Sequence, residues 1–116
     1  MEKNMKIAVS AKGKEMTDDV DEVFGRCPYF IIVEVEGNEI KEGEPIENIS
    51  AQKAGGAGIS AAQTVAEQEV KAVISGNIGP RAMDVFKQFK IDAYIGKGNV
   101  REVIDQFIEG KLKKIE

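Results

Sequence analysis

The hydrophobic period of the chain changes near residue 56, and that change restricts the fold more than any other feature. Before it, apolar residues come in short runs suited to strands. Met5 to Ala11 reads as one strand, ended by Lys12-Gly13-Lys14, and Tyr29 to Glu36 as a second, rich in Phe, Ile, Val and Tyr. Gly37-Asn38 is a two-residue hairpin signal, and Ile40 to Ile49 returns as a weaker third strand. Pro45 lacks an N–H, which places this strand at an edge. The polar, acidic stretch 15–25 carries one helical turn around 21–24.

Beyond Gly56, strands and helices alternate. Ile59, Ala62, Val65 and Ala66 form a helical stripe whose small side chains suit close packing on a sheet. Val70 to Ser75 is a short buried strand. Ala82, Val85, Phe86 and Phe89 fall at i, i+3, i+4 and i+7, with Pro80 placed for the first helical position. Ile91 to Ile95 makes a further strand, and Val100, Val103, Ile104, Phe107 and Ile108 mark a last helix that Gly110 ends. Lys111-Leu112-Lys113-Lys114 reads as a solvated tail. The order is β-β-β-α-β-α-β-α, an α/β chain, and the 116 residues show no linker or repeat that would divide them into more than one domain.

Right-handed crossovers make the alternating strands parallel. The turns at 54–58, 75–80 and 96–99 must then share the carboxyl edge of the sheet. The hairpin brings Arg26-Cys27-Pro28 to the same edge, and Lys12-Gly13-Lys14 joins them if the first strand is parallel to the third. Open α/β sheets bind ligands at such rims.

All three arginines stand beside glycine-rich turns: Arg26 in Phe24-Gly25-Arg26, Arg81 after Gly76-Asn77-Ile78-Gly79-Pro80, and Arg101 after Gly96-Lys97-Gly98-Asn99-Val100. Arg81 and Arg101 fall in the first turn of a helix, where the macrodipole disfavours a cation by roughly 0.3–1 kcal/mol. Together with the open backbone of Gly55, Gly56 and Gly58 and the amide of Asn77, this points to an anionic ligand. The plainer alternative is that glycine and asparagine are turn residues, with Arg81 paired to Asp84 and Arg101 to Asp105. GxGxxG and GxxxxGK[ST] are absent, so neither a dinucleotide fingerprint nor a P-loop is indicated.

Composition narrows the chemistry. There is no histidine, which excludes histidine acid–base catalysis and histidine metal ligation. The one cysteine, Cys27, allows neither an intrachain disulfide nor a CxxC cage. Beside Arg26 it is a candidate soft metal contact with a lowered pKa; as a packed small hydrophobe it would be inert. Asp18, Asp19, Asp21 and Glu22 read as a solvated loop rather than a cation site. The net charge of −4 argues against general nucleic-acid binding. No apolar run is long enough to span a bilayer, and the start lacks the apolar stretch of a secretory signal, so a cytoplasmic location is expected.

With these turns in place the chain resembles the dinitrogenase iron–molybdenum cofactor biosynthesis family, in its small single-domain archaeal and bacterial form. The resemblance runs through Met5-Lys6-Ile7-Ala8-Val9, Phe24-Gly25-Arg26-Cys27-Pro28-Tyr29-Phe30, Glu47-Asn48, Gly55-Gly56-Ala57-Gly58-Ile59, Gly76-Asn77-Ile78-Gly79-Pro80 and Val100-Arg101-Glu102. It implies a three-layer α/β/α, ribonuclease-H-like fold with a five-stranded mixed sheet. It also implies a metal–sulfur cluster, such as an iron–molybdenum cluster or its precursor, as cargo, and cofactor-assembly proteins as clients. Some members carry histidine before the glycine turn; here Lys53-Ala54-Gly55 stands there, so no ligand carries over from that position. A nuclease is not implied, because Lys6-Ile7-Ala8-Val9-Ser10 supplies no carboxylate for paired metal ions.

Three functions follow from the rim. The first is a non-catalytic carrier of an anionic metal–sulfur cluster or thiometallate. The second is an enzyme or sensor for a small phosphorylated metabolite. The third is a protein–protein adaptor using the edge strand near 40–48, although Pro45 and the charges Glu39, Lys41, Glu42, Glu44 and Glu47 look like protection against edge pairing.

Overall fold

The computed structural model describes residues 4–41 and 43–116. Four strands come first: β1 (Asn4–Ala11), β2 (Tyr29–Glu36), β3 (Glu39–Ile40) and β4 (Glu44–Glu47). Then α1 (Ala57–Ala66), β5 (Ala72–Ser75), α2 (Pro80–Gln88), β6 (Asp92–Ile95), α3 (Val100–Ile108) and β7 (Lys113–Ile115) alternate to the end. They form one mixed seven-stranded sheet in the order β3-β2-β1-β5-β6-β7, with β4 also on β2. β1, β5 and β6 are parallel, while β2 runs antiparallel to β1 and β7 antiparallel to β6.

Two expectations are corrected. The sheet has seven strands rather than five. One extra strand arises because 40–49 splits into β3 and β4, both paired to β2; Glu42, between them, lies outside the described residues. The other is β7, in the stretch expected to be a solvated tail. Its Lys114 pairs with Asp92 at 3.3 Å and its Ile115 packs on the core, so the polar run closes the β6 edge.

The alternation of β1 explains the layering. Ile7, Val9 and Ala11 face α3 with Ile31, Val33, Ile74, Val100, Val103 and Ile104. Ala8 faces the other way with Phe30, Ile32 and Val73, beneath Ala61, Ala62 and Val65 of α1 and Ala82, Val85 and Phe86 of α2. Side chains in a strand point alternately to opposite faces, so a nearly unbroken apolar strand means burial on both sides. One helix covers one face and two cover the other. Among the described residues no helix is long and apolar enough to cross a membrane.

The carboxyl ends of β1, β5 and β6 share a rim with the start of β2. The loop 12–23 is laced across it: Val20 N–H donates to Gly98 O at 2.9 Å, Gly76 N–H to Asp21 O at 3.1 Å and Phe24 N–H to Asn77 O at 3.2 Å. Below, Ser10 donates to Ser75 Oγ at 2.8 Å and Ser75 to the Asn77 carbonyl at 3.2 Å. The buried hydroxyls of two neighbouring strands thus fix the first turn of the rim.

Candidate functional site

A cleft of about 400 Å³ opens between the starts of α1 and α2. Arg26, Gly56, Gly58, Asn77, Gly79 and Arg81 line it. Its apolar walls come from Val23, Ile59, Pro80 and Ala82, and Phe24 closes one side. The Phe24 ring is held 5.1 Å from Phe30 and 5.3 Å from Phe86, which fixes that wall in the core.

The three helix starts differ in one decisive respect. α3 is sealed by its own side chains: Asn99 Oδ1 accepts from Glu102 N–H at 2.8 Å, and Glu102 Oε1 accepts from Asn99 N–H at 3.0 Å. An internal carboxylate already occupies the positive end of that helix. The N-caps of α1 and α2 are Gly56 and Gly79, with no capping side chain. The N–H groups of Ala57, Gly58 and Ile59, and of Arg81 and Ala82, therefore lack intrahelical acceptors beside one cleft.

The glycines sort the same way. A Cβ at Gly76 would lie 2.7 Å from Glu22 Cα, one at Gly96 2.9 Å from the Ile74 side chain, and Gly98 has φ +115°. Packing and backbone conformation account for those three. At Gly58 and Gly79 a Cβ would meet nothing within 4 Å, and neither has positive φ. At a helical position such as Gly58, glycine costs up to about 1 kcal/mol relative to alanine. The fold does not require glycine at either position, and both positions line the cleft. Gly55 is likewise open, whereas Gly56, at φ 73°, needs the left-handed region.

The other candidates lie elsewhere. Gly76 and Gly96 line a neighbouring polar cleft of about 560 Å³ with Lys12, Asp19, Glu22 and Lys97, and it shares Val23 and Asn77 with the first. Arg101 lines a separate hollow with Lys14, Met16, Ile40 and Lys41. Neither Arg81 nor Arg101 forms an ion pair among the described residues, so the alternative pairings with Asp84 and Asp105 are not made. Asp18 and Asp21 act as turn acceptors, Asp18 for Glu15 N–H and Asp21 for Val23 N–H.

Cys27 has the surroundings of a packed thiol, one of its two expected readings. It is fully buried and donates to Phe24 O at 3.1 Å. Burial, reinforced by the negative charge of Asp21, pushes its thiol from 9.0 up to about 12, opposite to the fall expected from Arg26. Burial and the bond to the Phe24 carbonyl both favour the neutral thiol.

Two residues that shape the cleft were not among the expected site residues, although both lie in segments that carry the family resemblance. Gly25 presses on α1, where a Cβ would come within 2.9 Å of Gly58 Cα. Asn48, buried after β4, donates from Nδ2 to Gly25 O at 3.1 Å and Cys27 O at 2.8 Å, and its Oδ1 accepts from Ser50 N–H at 3.1 Å. It locks the turn 25–28 to the segment that leads into α1.

Comparison with known proteins agrees with this frame. The family model for dinitrogenase iron–molybdenum cofactor matches residues 5–110. An uncharacterised Methanocaldococcus jannaschii protein is 43% identical over 98% of this chain and 94% of its own length. The apo form of the orange protein from Desulfovibrio gigas superposes with a TM-score of 0.86 at 28% identity, covering 96% of this chain and 92% of that one. A Thermotoga protein provisionally assigned as a NifB protein superposes at 0.78 with 30% identity, over 95% and 92%. The chain belongs to the dinitrogenase iron–molybdenum cofactor family.

Proposed function

We propose that the chain is a non-catalytic carrier for a soft, multiply charged anion, a metal–sulfur cluster or thiometallate of the kind used in iron–molybdenum cofactor assembly. The cargo would sit in the cleft between α1 and α2, in the cytoplasm, and pass to cofactor-assembly proteins. The observation that carries this reading is the pair of uncapped helix starts facing one cleft, lined by glycines the fold does not require and flanked by Arg26 and Arg81. Backbone N–H groups and guanidinium supply positive potential without needing a histidine or a thiolate. The apolar walls suit sulfur, which is larger and less strongly hydrated than phosphate oxygen, so leaving water costs it less. The three-layer frame supports a ribonuclease-H-like scaffold used for carriage.

The test is anaerobic titration with tetrathiomolybdate, followed through its visible charge-transfer bands. The wild type should perturb them, and Arg81→Ala should bind about tenfold more weakly, a loss of about 1.4 kcal/mol. Unchanged bands for the wild type, with stabilisation by a phosphate ester instead, would overturn the reading in favour of a metabolite site.

A further inference from the structure

Arg26 stands between the cleft and the chain that leads into α1. Its Nη1 donates to Ala51 O at 2.9 Å and to Lys53 O at 2.6 Å. The segment is anchored before this point by Asn48, and by Ser50 Oγ, 2.6 Å from Ser60 Oγ on α1. From Ala51 to Gly56 it joins no strand, and the Arg26 bonds are the side-chain ties made to it among the described residues. It is a strap fastened at both ends and clasped in the middle by one exposed guanidinium.

We propose that Arg26 is a two-position clasp: it holds the strap when the cleft is empty and turns to the anion when the cleft is filled, releasing residues 51–56. The proposal rests on the carrier reading of the same cleft. Arg26 lines both the cleft and the hollow beside Ala51 and Gln52, so one side chain borders both positions. The exchange is favourable because an anion attracts guanidinium more strongly than a neutral carbonyl does. A ligand shifts such an equilibrium only by binding the two states differently, and here the difference is the guanidinium contact itself. The strap leads to the first turn of α1, so release would make loading visible on the outer surface, where a client could read it.

Hydrogen exchange tests this. Ala51 N–H donates to Asn48 O at 3.2 Å and Lys53 N–H to Ser50 O at 3.1 Å, and both turns sit under the clasp. In wild type loaded with tetrathiomolybdate, these two amides should exchange about five- to tenfold faster than in the empty protein. Arg26→Gln should show the fast rate without ligand and no further change with it, while amides of β1 stay protected and report an intact fold. Arg26→Lys should fall between, since an ammonium lacks the planar fork. Ligand bound with the strap amides unchanged or slower would overturn the clasp and leave the carrier reading standing; that is the outcome if Nη2 reaches the anion while Nη1 keeps its carbonyls. No ligand uptake by wild type would overturn both.

Discussion

Gly79→Asp separates the fold's needs from the ligand's. At φ −74° and ψ 167° Gly79 has extended backbone that any residue adopts, and its Cβ would meet nothing within 4 Å. A carboxylate there can accept from Ala82 N–H as Asn99 accepts from Glu102 N–H at 2.8 Å on α3. The cap adds a few tenths of a kcal/mol over glycine. The dipole adds roughly 0.3–1 kcal/mol, so the variant should melt about 2–5 °C higher. Binding should move the other way. A single negative charge about 5 Å from a dianion, at an effective dielectric near ~40, repels by about 3 kcal/mol. Screening at about 0.1 M salt leaves roughly 2 kcal/mol, or about a 30-fold weaker Kd. Thermal melts and anaerobic tetrathiomolybdate titrations on the same preparation give both numbers. Gly79→Ser, which caps without charge, should lose no more than about fivefold. A Gly79→Asp protein that melts higher yet binds as tightly as wild type would refute the placement of the anion at the α2 start.

Other outcomes follow from the same geometry. Gly58→Ala should raise stability by up to about 1 kcal/mol in denaturant unfolding while weakening thiometallate binding. Asn48→Asp replaces a buried donor with an acceptor facing the Gly25 and Cys27 carbonyls, and should cost about 3 kcal/mol or more by urea unfolding. Glu69 and Lys90 follow α1 and α2 at φ 62° and 59°, so Glu69→Gly and Lys90→Gly should each gain about 0.5–1 kcal/mol by thermal melting. The raised Cys27 pKa makes its contribution constant below the unfolded value of 9.0 and declining as pH rises toward about 12, because only the unfolded chain ionises in that window. Urea unfolding should show the stability difference between wild type and Cys27→Ala flat at neutral pH and smaller by about 1 kcal/mol near pH ~10.

Much of the fold was readable because the apolar spacing separates strands from helices. Pro80 marks the first position of α2, Asn99 caps α3, and the period of apolar residues changes at the strand–helix boundaries. Chain direction alone then brought the turns to one rim. The strand count was not readable. β7 is three residues with one half-buried side chain, too short for alternation to show, and β4 carries Glu-Pro-Ile-Glu, which reads as polar. The division of the rim into two clefts and the isolation of Arg101 depend on the loop 12–23. Its path is set by backbone hydrogen bonds to Gly98 and Asn77 that composition does not encode. For Cys27 the sequence left two readings open, a soft contact activated by Arg26 and a packed thiol, and the choice turns on burial, which adjacency to Arg26 does not reveal.

The contact between Gly25 and the start of α1 leaves part of the cleft bounded by peptide backbone. Side-chain replacement will understate how much of the recognition resides there, since truncation to alanine leaves every N–H in place. The informative experiment on such a surface is atomic: exchanging the amide of Gly58 or Ala82 for an ester by semisynthesis removes a single donor and keeps the outline.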